Sequence, residues 1–159
     1  MTTFTAARAA SSFPVGKGAL GAGALCVAWG TIEVTANPVA NDVYEMCRLP
    51  RGAVVVGGQI LADDLDTNGT ETLDLDIGWL GNGVEAADPD GFGNVGVMGT
   101  DTVAGIKPEA GYNYPLGGKL VTDGPQAFSA ETVVAVTCVA TAATFAAGTL
   151  SVVVYYTVP

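Results

Sequence analysis

Asn68-Gly69-Thr70-Glu71-Thr72-Leu73-Asp74-Leu75-Asp76-Ile77-Gly78-Trp79 is the stretch that decides the fold class. Side chains of an extended chain point alternately to two faces. Leu73, Leu75, Ile77 and Trp79 therefore share one face, and Thr72, Asp74, Asp76 and Gly78 share the other. This alternation predicts a half-exposed antiparallel strand over 70–79. The Asn68-Gly69 pair suits a type I′ turn, whose two central residues need positive φ, and predicts a hairpin with the strand before it.

Upstream, residues 53–62 form a valine-rich strand with Gly57-Gly58 as a bulge or bend. A strand over 42–48 precedes it, interrupted by Leu49-Pro50-Arg51-Gly52, since proline cannot donate to a ladder. A strand over 24–35 ends in a turn at Asn37-Pro38. Downstream, 131–141 and 149–158 are valine- and threonine-rich strands, and 119–122 reads as a short one. In the last strand Leu150, Val152, Val154 and Tyr156 share a face, with Val153 and Tyr155 opposite, so both faces should be covered. Leu80 to Gly118 reads as a long glycine-rich connection, with a turn at Asp88-Pro89-Asp90-Gly91 and a short helix near 95–104. Residues 1–17 lack periodicity and read as an extended N-terminal arm that a neighbour must order. The expectation is an all-β fold, a β-sandwich or jelly roll, with the arm at 1–17 and a single β domain over 18–159.

Composition narrows the function. Of 159 residues, 49% are hydrophobic and only 14% charged, below the roughly 25% usual for soluble domains. So few charges leave neutral surface where subunits can pack. The formal net charge of −10 repels a phosphate backbone, and Arg8, Lys17, Arg48, Arg51, Lys107 and Lys119 make no patch, so no nucleic-acid partner is expected. Gly18 to Ile32 is uncharged and resembles a leader, but it is short for a bilayer, glycine-rich and strand-like, so no membrane partner is expected either. Cys26, Cys47 and Cys138 are an odd set without close pairing, which reads as buried thiols of a chain folded in a reducing cytoplasm.

Catalytic chemistry finds few groups. With no histidine, the commonest general base and metal ligand is missing, and Ser-His-Asp or Cys-His arrangements cannot form. Gly16-x-Gly18-x-x-Gly21 and Gly91-x-Gly93-x-x-Gly96 match the dinucleotide fingerprint literally, but neither sits between a strand and a helix, where phosphate would meet a helix N-terminus. Asp64-Leu65-Asp66-Thr67-Asn68-Gly69 opens like a calcium loop, yet Leu75 stands where the closing glutamate belongs, and a polar hairpin tip accounts for the same residues. The pairs Asp74/Asp76 and Asp88/Asp90 could do acid–base work, but alternation places Asp74 and Asp76 on a solvated face. Trp79, Tyr112, Tyr114, Tyr155 and Tyr156 suit core or interface packing, or a sugar-stacking surface. No catalytic, cofactor-binding or metal residue is expected, and no enzyme.

The run from Val43 to Gly58, in which a strand passes through Leu49-Pro50-Arg51-Gly52-Ala53 into valines, resembles small virion structural proteins of tailed bacteriophages. Asp66-Thr67-Asn68-Gly69-Thr70, Leu75-Asp76-Ile77-Gly78 and the run Ala146 to Tyr156, which looks like the closing hairpin of such proteins, carry the resemblance further, to about half the chain. It implies a head decoration (cement) or other auxiliary capsid protein, often an oligomer. The implied partners are the major capsid protein and further copies of the chain, in a virion assembled in the host bacterial cytoplasm. A carbohydrate- or receptor-binding β-module of adhesin type, using the aromatics and the Asp64 loop, is the alternative.

Overall fold

A computed structural model describes residues 1–12, 24–97 and 112–158. In chain order its strands are β1 (Thr3–Thr5), β2 (Cys26–Val34), β3 (Val43–Leu49), β4 (Val54–Ala62), β5 (Asp74–Trp79), β6 (Asp88–Val97), β7 (Tyr112–Pro115), β8 (Gln126–Ala127), β9 (Thr132–Ala140) and β10 (Gly148–Thr157). A single helical turn, α1 (Lys119–Thr122), stands where the sequence predicts a short strand.

The strands form two sheets, ordered β1-β3-β9-β5-β6 and β2-β10-β4-β7, with β8 on β4. From β2 onward the chain crosses between sheets at nearly every step, and within each sheet these strands pair antiparallel. This is the jelly-roll form of the expected sandwich. Alternate side chains from the two inner faces make the core: Met46 and Leu49 of β3, Val55 and Ile60 of β4, Leu75 and Ile77 of β5, and Leu150, Val152 and Val154 of β10. One end is closed by aromatics. Trp79 lies 4.9 Å from Phe92 and 5.2 Å from Phe128 between ring centroids, in tilted and edge-on geometry.

Three expectations change. The long connection carries two strands, β6 and β7, and the Asp88–Gly91 turn is the start of β6. Two glycines of the β5–β6 pair serve close approach. A Cβ on Gly91 would lie 2.2 Å from the Trp79 ring, and one on Gly78 would lie 1.9 Å from the Asp88 carbonyl oxygen. β6 runs through Val97, so the helix predicted at 95–104 begins as strand, and its remainder lies outside the described residues.

Asn68-Gly69 does not join paired strands: β4 and β5 belong to different sheets, and neither residue has positive φ. The closing segment likewise crosses between sheets, from β9 to β10. Gly57-Gly58 does mark a bulge, where the β10 register shifts between Tyr155 and Tyr156.

The first residues have a place on the chain's own sheet. β1 pairs parallel with β3, and Phe4 stacks on Tyr44 with centroids 5.0 Å apart and planes 14° apart. Ala6 and Ala9 are buried, and Arg48 Nε donates to the Ala9 carbonyl at 2.6 Å. Residues 13–17 of the expected arm lie outside the described residues.

Candidate functional site

Asp66, the centre of the calcium-like loop, is buried and already satisfied. Its Oδ2 accepts from the backbone N–H groups of Thr72, Ala143 and Leu73 at 2.8, 2.9 and 3.2 Å. Its Oδ1 accepts from Thr144 and Asn68 at 2.9 and 3.3 Å. Burial alone would raise its pKa, but these donors outweigh it and lower the carboxyl to about 2. The carboxylate staples two crossing loops together, which is why the hairpin does not form. Asp64 points elsewhere: Tyr112 Oη donates to Asp64 at 3.3 Å and to Glu71 at 3.2 Å. Burial, then the two carboxylates, push the phenol pKa upward.

The other sequence-chosen residues disperse. All three cysteines are free, Cys47 and Cys138 in the core and Cys26 half-buried. Burial, then Asp42 and Asp74, push the Cys138 thiol to about 11. Trp79, Tyr112, Tyr114 and Tyr156 are core residues, and Trp79 Nε1 donates to the Ala86 carbonyl. Only Tyr155 of the five reaches an outer surface, half-buried. Gly91 and Gly93 lie inside β6, without the strand-to-helix junction a phosphate needs, while Gly16-x-Gly18-x-x-Gly21 is outside the described residues.

What the fold assembles is a pair of outer sheet faces of opposite character. On the β3-β9-β5-β6 sheet lie Glu45, Asp74, Asp76 and Asp90, with Arg48 paired to Glu131 at 3.0 Å and Asp88 paired to Lys119 at 3.1 Å. Asp74 and Asp76 are less solvated than alternation alone implies. Burial raises both pKa values, and for Asp76 repulsion from Asp74 and Asp90 adds to it. One oxygen of each carboxylate is buried without a hydrogen bond.

The opposite face, on β2-β10-β4-β7, carries Glu33 as the only charge in its four strands. Its cross-strand rows follow from the register: Val27–Tyr155–Gly57, then Trp29–Val153–Gln59, then Thr31–Ser151–Leu61. The first two rows are largely apolar, and Leu25, Val27, Trp29 and Val56 there are 64%, 53%, 44% and 47% exposed. The third row turns polar, with Thr31 and Ser151 hydroxyls 2.9 Å apart.

No protein-family model matches the sequence, and no curated protein matches it significantly. Solved structures do match. A chain from the capsid of Ralstonia phage GP4 superposes with a TM-score of 0.70 at 25% identity, over 99% of each chain. One from the capsid asymmetric unit of cyanophage Pam1 gives 0.66 at 27% identity, over 94% of this chain and 95% of that one. The chain is similar to chains of phage capsids. A chain from the capsid of Helicobacter pylori bacteriophage KHP30, at 15% identity and a TM-score of 0.56 over 87% and 90% of the two chains, shares the fold.

The apolar rows are the feature sequence reasoning misses. Leu25, Val27 and Trp29 alternate, which was a usable signal, but nothing in the chain shows that Val153, Tyr155 and Gly57 lie beside them.

Proposed function

We propose that this chain is a non-enzymatic structural subunit of a phage virion: a head decoration, or cement, protein that binds the major capsid shell as a homo-oligomer and stabilises it. The observation that carries this reading is the likeness to chains of two solved phage capsids, along nearly the whole length and at 25–27% identity. The charge supports a place outside the shell. A chain at −10 with no basic patch is unsuited to line a wall facing packaged nucleic acid. The placement of the aromatics supports a packing role over a sugar site, since four of the five are in the core.

The test is an add-back experiment. Particles lacking this chain are mixed with the purified protein, and bound protein and particle heat resistance are measured. Saturable binding, with particles that rupture at a higher temperature, is the expected result. Absence of binding at micromolar protein overturns the decoration role.

A further inference from the structure

We infer that the apolar half of the β2-β10-β4 outer face is the contact between copies of this chain. This deepens the proposed function, and rests on it, by naming the surface through which the homo-oligomer forms.

Three observations meet on that face. First, Leu25, Val27 and Trp29 stand outward at every second position of the β2 side and are half or more in solvent, apart from Trp29 at 44%. The register sets Val153 and Tyr155 beside them, and the Tyr155 ring lies 3.8 Å from where a Gly57 Cβ would be, so no side chain from β4 interrupts the row there. Outer faces of a sandwich are ordinarily polar, and this half is not.

Second, the charge distribution selects the partner. Each copy carries −10. Two copies can pack closely only where neither presents carboxylates, because like charges in a desolvated contact repel strongly. The acidic sheet fails that requirement, with Glu45, Asp74, Asp76 and Asp90 on its strands. The β2-β10-β4-β7 sheet meets it, since Glu33 is its only charge and lies in line with Thr149, beyond the Thr31–Ser151 row.

Third, the area is right. Leu25, Val27, Trp29 and Val56 together leave on the order of 400 Å² of apolar surface in water, comparable to the apolar half of one side of a standard protein interface. A tryptophan at the centre and a polar margin are the layout of such contacts.

Sedimentation of the protein alone, over a range of concentrations, reads this proposal without any shell. The wild type is expected as an oligomer. Trp29→Glu and Val56→Glu each place a carboxylate on the face, and are expected to weaken self-association roughly a hundredfold or more while keeping the far-UV spectrum. Val139→Glu, on the opposite sheet face, is expected to associate like wild type. The native chain gives a second reading: Trp29 should become open to acrylamide quenching on dilution, with buried Trp79 as the shielded reference. A wild type that stays monomeric, face variants that associate unchanged, or a Trp29 equally quenchable in the oligomer overturns the assignment. Because no particles are present, a failure of shell binding cannot imitate any of these outcomes.

Discussion

Gly30 of β2 backs onto the carbonyl of Met46 of β3 so closely that a Cβ on Gly30 would lie 1.8 Å from the Met46 oxygen. These strands belong to different sheets, so the contact sets how near the two layers come at that end of the sandwich. The obstacle is backbone and cannot rotate away. Gly30→Ala should therefore cost about 3 kcal/mol or more, or prevent folding. Urea unfolding of the variant checks this, and a loss below about 1 kcal/mol would mean the sheets are not in this contact.

Gly69 supplies the contrasting case. It has no atom within 4 Å of its would-be Cβ and no positive φ. Gly69→Ala should leave stability within about 0.5 kcal/mol, or raise it slightly by restricting the unfolded chain. A loss above about 1 kcal/mol would restore the type I′ hairpin that the crossing between sheets replaces.

Asp66 makes acid stability measurable. Its carboxyl is lowered from the ordinary 3.8 to about 2, so its contribution is complete above pH 3.8 and is lost as pH falls through 2. A shift of this size corresponds to about 2 kcal/mol. Asp66→Asn should remove about that much at pH 7 and flatten the acid limb of the stability profile between pH 4 and 2. Chelation should leave the melting temperature of the wild type unchanged, because the Asp66 oxygens are bound to backbone N–H groups.

Asp74 and Asp76 have the opposite sign. Their raised pKa values mean the folded state holds the proton more tightly, so stability falls as pH rises from the ordinary carboxyl range through the raised values. Asp76→Asn should raise the melting temperature at pH 7, and the gain should disappear below about pH 4. A lower melting temperature at pH 7 would mean this carboxylate has a partner that stabilises its charge.

Phe4 tests whether the first residues belong to the folded domain. It stacks on Tyr44, the Ala6 N–H donates to Glu45, and the Val43 N–H donates to the Thr2 carbonyl. Phe4→Ala should cost about 2 kcal/mol in the isolated protein. An unchanged unfolding midpoint would return the segment to the role of a loose arm.

Much of the sandwich was legible because alternation and β-branched content are local. The strands predicted over 24–35, 42–48, 53–62, 131–141 and 149–158 stand within a few residues of β2, β3, β4, β9 and β10. β6 was hidden by its own glycines, and β7 by being only four residues long. Gly91 and Gly78 are small because of what they touch, and a sequence records the size without the contact. The hairpin failed for a related reason: Asp66 draws donors from Ala143 and Thr144, far along the chain, and that tertiary set outweighs a local turn preference. The apolar face was half legible. The β2 alternation was visible, but its continuation into Tyr155 and Gly57 depends on strand order.

Cryo-electron microscopy of purified particles, at a resolution that traces strands, decides whether the chain is a decoration subunit on a phage shell. The expected density is a jelly roll with this strand order on the outer surface, touching the major capsid protein and neighbouring copies of itself. Density for the chain inside the shell, in the tail, or forming the shell lattice itself would contradict it.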